Sequence, residues 1–250
     1  MTGYLSSRNV KACEGRVKGY IFCSSRAWQV KMPSHIKGLL GSCLVIPCKF
    51  NYHQYPPERP DRVVWYQYVN RGYPVVYDKR YPENVIDIYK RRTYAFTSAY
   101  SKTCSLKIQP VMQYDHSQKL YPWVDPENVG RGTYQFWDTS VTIEVVGSIS
   151  PLTITSTSDE FFEGYASKVT CTATYTCSKH IPTITWNYGG MPVSTDTIKI
   201  PGAALWKTVS TLTFTSSASS HGGSLACQAR FTGGLIQRIR FTLRVKSKCN

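Results

Sequence analysis

Residues 42–50 read Ser-Cys-Leu-Val-Ile-Pro-Cys-Lys-Phe, a short apolar run of strand-forming residues with two cysteines five positions apart. Side chains alternate between faces along a strand, so this odd separation points Cys43 and Cys48 to opposite sides. Both cannot enter one core. Trp65 lies 17 positions beyond Cys48, and Cys104 lies 56 positions beyond it. The series recurs downstream: Cys171 is followed by Trp186 after 15 positions and by Cys227 after 56.

A Cys…Trp…Cys series at this spacing, among alternating strands, marks an immunoglobulin sandwich in which the Trp packs over a buried disulfide. Two copies in 250 residues predict an all-β chain of two tandem immunoglobulin-like β-sandwiches, V-type then C2-type. Residues 42–50 match strand B, 62–69 (RVVWYQYV) strand C, 104–108 (CSLKI) strand E and 139–146 (TSVTIEVV) strand G. In the second half, residues 168–173, 183–188, 208–215, 224–231 and 238–246 repeat the pattern. The boundary falls in the Gly/Ser/Pro segment 147–151, giving a V-type domain at 27–147 and a C2-type domain at 148–250. Residues 1–26 look unlike the rest and carry no predicted fold.

Composition agrees with strands: 18 Tyr and 13% aromatics against 18% charged residues, with no amphipathic helical stripe. Nine cysteines fit an oxidised, extracellular domain pair better than a cytosolic protein. The economical pairing is Cys48–Cys104 and Cys171–Cys227 within domains, with Cys43–Cys177 between them. Cysteine arithmetic alone leaves the connectivity open, and Cys13, Cys23 and Cys249 unassigned. A zinc site from Cys43, Cys48, Cys171 and Cys177 is disfavoured, because the gaps of four and five residues lie in strands without a nearby His pair. Variable-type strands F carry Tyr-x-Cys, whereas here Tyr121 precedes Pro122 and Trp123. Cys104 on strand E must then replace the missing partner, which moves the disulfide within one sheet.

The net charge of +15 implies attraction to anionic partners. Short basic clusters stand at 79–80 and 90–92, and a heparin-type reading would use Lys90-Arg91-Arg92. No nucleic-acid motif is present in its required context, so no nucleic acid is expected as a partner. The five histidines are dispersed, no triad or metal motif appears, and neither an enzyme nor a cofactor nor a metal site is expected. The cysteines demand export, yet the sequence shows no signal peptide and no apolar run of about 20 residues. The expectation is a protein that continues beyond both ends and is membrane-anchored on the extracellular side of the cell surface.

Residues 38–48 (GLLGSCLVIPC), the strand-E position of Cys104 and the Cys43/Cys177 pair together resemble the siglecs, the sialic-acid-binding immunoglobulin-like lectins. The resemblance covers about residues 27–250. It implies an adhesion or recognition receptor whose first domain binds sialylated glycans or glycoproteins. In that family a strand-F arginine clamps the sugar carboxylate, a bidentate contact suited to the planar guanidinium. Aromatics on strands A and G complete the site. Trp28 matches the strand-A aromatic, and Tyr134, Phe136 and Trp137 are the strand-G candidates.

The arginine is where the chain departs from the family. Residues 121–124 read Tyr-Pro-Trp-Val, which puts Trp123 in the inward aromatic position and Val124 in the arginine's; a one-residue shift puts Trp123 there instead. Arg131, in the loop between strands F and G, is the nearest substitute. Losing the arginine–carboxylate pair costs about 1.5–3 kcal/mol. The rival expectation is therefore a protein ligand bound through the same sheet, with sialic-acid binding lost.

Overall fold

In a computed structural model, residues 13–17, 20–23 and 28–247 are described. Most of the N-terminal segment lies outside them, as does Cys249. Within that segment β1 (Cys13–Val17) and β2 (Tyr20–Cys23) form an antiparallel pair with Cys13 opposite Cys23.

The first sandwich runs β3 (Trp28–Lys31), β4 (His35–Leu39), β5 (Leu44–Ile46), β6 (Lys49–Tyr52), β7 (Val63–Gln67), β8 (Val75–Tyr77), β9 (Thr93–Ser98), β10 (Thr103–Ile108), β11 (Lys119–Val124) and β12 (Val141–Val146). One sheet joins β3, β6, β10 and β5, with β9 also on β10; the other has the order β4-β12-β11-β7-β8. The leading strand thus divides between sheets, β3 pairing with β6 and β4 running parallel to β12. This division is the variable-type edge arrangement.

The expected strand B is interrupted at Pro47 and Cys48. Proline cannot donate to the ladder, but the register continues across it, with Ile46 opposite Leu106 and Lys49 opposite Thr103. Cys48 therefore faces Cys104 in the same sheet, where the Cys104 N–H donates to the Cys48 carbonyl at 3.0 Å and the two are disulfide-bonded. Fully buried Trp65 donates its indole N–H to the Cys104 carbonyl at 3.0 Å, which satisfies its one polar atom. Below this core, Arg92 grips buried Asp115 with two bonds of 2.9 and 3.0 Å. Burial works against the Arg92 cation, but the bonds to Asp115 prevail and hold its pKa above the ordinary value.

The second sandwich comprises β13 (Thr153–Ser156), β14 (Phe161–Phe162), β15 (Ala166–Tyr175), β16 (Thr183–Trp186), β17 (Val193–Lys199), β18 (Trp206–Thr215), β19 (Ser224–Arg230), β20 (Ile236–Thr242) and β21 (Val245–Lys246). Its sheets are β13-β15-β18-β17 and β16-β19-β20, with β14 and β21 paired in parallel. Cys171–Cys227 joins the two sheets. Because β17 pairs with β18, the arrangement is the four-plus-three form of constant-type domains.

The two sandwiches share a seam. Leu39, at the end of β4, is buried among Leu152, Tyr175 and Phe231 of the second core. Cys43, on the outward parity of its strand, is bonded to Cys177, and Thr176 donates its hydroxyl to the Cys43 carbonyl at 2.7 Å. Gly41 sits at φ +74° against Gly233, and a Cβ on Gly233 would fall 2.2 Å from the Leu40 carbonyl oxygen. Backbone meets backbone here, a contact only glycine permits. Truncating a buried leucine leaves a cavity. Leu39→Ala is therefore expected to destabilise the second sandwich by about 3 kcal/mol, and calorimetry should show that domain's melting transition falling although the substitution lies in the first.

Candidate functional site

Strand parity decides which side chains reach the open face of the β4-β12-β11-β7-β8 sheet. Pro122 stands opposite core-facing Trp65, and residues opposite one another across an antiparallel pair share a face. Leu120, Pro122 and Val124 therefore point into the core, and Val124 is fully buried. The inward assignment of Trp123 and the arginine-position assignment of Val124 are both corrected: Trp123 stands on the outer face, as the one-residue shift has it. Tyr121 shares that face and stacks on Tyr66, with ring centroids 5.6 Å apart.

Trp123 is only 5% exposed, because Tyr66, Phe136 and Trp137 crowd its ring at 6.0, 5.6 and 6.0 Å. Its indole N–H donates to the Val129 carbonyl at 2.9 Å, which ties the following loop down onto the sheet. The loop is clamped from its other side by charge. Buried Asp125 accepts bonds from the Arg59 backbone and side chain, and Arg62 forks onto Asp78 at 2.8 and 2.9 Å while also reaching Glu127.

The clamped loop delivers Arg131. Its guanidinium carbon lies 3.9 Å from the centre of the Tyr73 ring, a close cation–π contact. Arg131, Tyr66, Tyr73, Trp123, Pro126 and Gly130 line a shallow cleft of about 350 Å³. A second cleft of about 420 Å³ adjoins it across Tyr73 and is bounded by Tyr68, Tyr121 and Trp137. Lys119 Nζ sits 4.5 Å over the Tyr68 ring at its rim. Among the described residues neither Arg131 nor Lys119 forms an ion pair. A ring face engages one side of each cation, and the guanidinium edge of Arg131 keeps its donors for a carboxylate or similar anion.

The other expected contacts are placed elsewhere. Trp28 is fully buried between Phe50, Tyr52 and Phe136, with its N–H on the Tyr55 carbonyl at 3.1 Å, so it offers no ring face to a ligand. Phe136 is likewise fully buried. Both assignments are corrected, because a 3₁₀ turn at Phe136–Asp138 folds inward where an extended strand was expected, and strand pairing starts only at Val141. Tyr134 is half-buried against Trp28 and Phe136. Sequence reading missed Tyr66, Tyr68, Tyr73, Tyr121 and Lys119. The available signal was the parity of RVVWYQYV, which sets Tyr66 and Tyr68 off-phase with Trp65. The basic run at 90–92 does not form a patch: Arg92 is committed to Asp115 and Lys90 pairs with Asp87 at 2.7 Å. Among the described residues no cluster of His, Cys, Asp or Glu is placed to hold a metal ion.

No family model matches the chain. It is similar to the solved structure described as Rst D1-D2, at 16% identity over 88% of this chain and 100% of that one, with a TM-score of 0.35. Likeness at that level carries neither fold nor function; the fold rests on the sheets and disulfides above.

Burial at this face raises phenol pKa values. Tyr66 is pushed up to about 12, by burial first and then by the charge of Asp78. Tyr121 is also raised, by burial and by the neighbouring phenols of Tyr66 and Tyr73. The fold thus favours the neutral form. Below the ordinary value of 10.0 folded and unfolded chains are both neutral there, and stability is unaffected. Above it the unfolded chain ionises first, so stability falls from about pH 10 through about 12. Urea midpoints measured across this range should drop, and the drop should be shallower in Tyr66→Phe.

Proposed function

We propose that the chain is the recognition end of an exported, siglec-like cell-surface adhesion receptor, which meets sialylated glycans through the outer face of the β12-β11-β7-β8 sheet. The observation that carries this reading is Arg131: a cation without an ion pair among the described residues, held on Tyr73 at the lip of an aromatic cleft. A sialic acid presents one carboxylate beside an apolar N-acetyl group and a polyol chain. An arginine fork beside Tyr and Trp rings suits that combination. The disulfides support an oxidising compartment, and the Cys48–Cys104 and Cys43–Cys177 layout supports the siglec-like reading.

One observation favours a second reading. Trp123 occupies the outward strand-F position and is capped by other rings, so the shared sheet presents a broad tyrosine-rich surface rather than a clamp. Tyrosine and tryptophan are enriched in protein–protein interfaces. On that reading the same face binds a protein.

Binding of the chain to a glycan array, with and without sialidase treatment, separates the two. Sialidase-sensitive binding is expected, and Arg131→Ala should weaken it roughly tenfold to a hundredfold, the equivalent of about 1.5–3 kcal/mol. Binding that emerges only in Trp123→Arg would reject the Arg131 contact and leave the protein-ligand reading.

A further inference from the structure

Charge in the second sandwich is unevenly placed. Residues 148–250 contain ten Lys and Arg against four Asp and Glu. Asp159, Glu160 and Glu163 flank β14, and Asp196 lies on β17 in the other sheet. None of the four is on the β16-β19-β20 sheet. There, Cys227 points inward to its disulfide with Ile239 opposite it. The alternate positions therefore face outward, which exposes Arg230 on β19 together with Arg238 and Arg240 on β20. Thr183, Thr185, Ala226, Gln228 and Ile236 lie on the same face.

None of the three arginines forms an ion pair among the described residues. Arg238 donates its Nε–H to Gln228 Oε1 at 2.6 Å. That bond ties the guanidinium across the strand pair and leaves both terminal amino groups to donate elsewhere. The pleat fixes the spacing: Arg238 and Arg240 lie about 7 Å apart along one strand, and the stripe from Arg230 to Arg240 spans about 14 Å. Like charges held this close repel, so the face gains most from a ligand that brings several anionic groups in a row. Guanidinium forks pair with such oxyanions bidentately.

We propose that this arginine stripe binds a linear sulfated polysaccharide. A flat, charge-matched sheet face suits an extended polymer, whereas insertion into a lipid surface calls for a broad apolar border, and Ile236 is the one large exposed apolar side chain on the stripe. The site is separate from the clefts of the first sandwich and does not depend on their ligand.

The test is binding of the whole chain to immobilised heparin over a series of salt concentrations. Arg238→Ser/Arg240→Ser is compared with Lys37→Ser/Lys49→Ser, which removes the same charge from exposed sites of the first sandwich. The arginine variant is expected to bind about tenfold more weakly and to lower the slope of log affinity against log salt by about two, one per lost contact. The lysine variant should stay within about twofold, and both should keep the natural unfolding temperature. Hyaluronan, a carboxylate polymer without sulfate, should bind the natural chain far more weakly than heparin. Equal losses in both variants would overturn the proposal in favour of overall charge, as would no loss in either or equal binding of hyaluronan. Phosphatidylserine vesicles captured in an Arg238/Arg240-dependent way, with heparin binding unchanged, would assign the face to lipid and overturn it too.

Discussion

Alternation along residues 42–50 sends Cys48 into the first core and Cys43 out of it, and both sandwiches depend on that division. Cys48 bonds to Cys104 on the neighbouring strand of the same sheet, so the facing sheet carries no covalent tie. Leu120, Pro122 and Val124 fill the space a strand-F cysteine would occupy, while Trp65 closes over the intrasheet bond. On the outward side, Cys43 meets Cys177 beside the Leu39 contact and the Gly41–Gly233 approach. A bond between residues 134 positions apart removes much freedom from the unfolded chain, worth about 5 kcal/mol in the loop-closure account.

Charge divides into two populations. Arg62 and Arg92 are each bound to a nearly buried aspartate, and Arg59 is bound to fully buried Asp125. Removing one partner from a buried pair costs about 3–5 kcal/mol because the other charge is stranded. These arginines hold loops and strand ends in place, and the loop they hold carries Arg131. The exposed Lys246–Glu160 contact is of a weaker kind, worth at most about 1 kcal/mol. Arg131, Lys119 and the Arg230–Arg238–Arg240 stripe are among the cations that have no acidic partner among the described residues.

Much of the fold was legible because its signals are local. Cysteine–tryptophan spacing and period-two alternation report which residues are buried, whatever the global arrangement. Strand edges were less legible. Residues 136–138 look strand-like by composition, yet they form a tight turn because Phe136 finds its burial under Trp28 and Trp123. Trp28 matches a ligand-contacting strand-A aromatic only until Phe50, Tyr52 and Tyr134 close around it.

The sequence by itself determined two disulfide-centred sandwiches, the opposite faces of Cys43 and Cys48, and a surplus of positive charge, since each follows from residue type and spacing. Only the tertiary structure decided that Trp123 faces outward and Val124 inward. That choice is set by the register of β11 against β7, and a shift of one residue in register exchanges the two faces of a strand. It also decided which cations lack a partner. Ion pairing depends on distances between residues far apart in the chain, as between Arg92 and Asp115, and no spacing along the sequence records them.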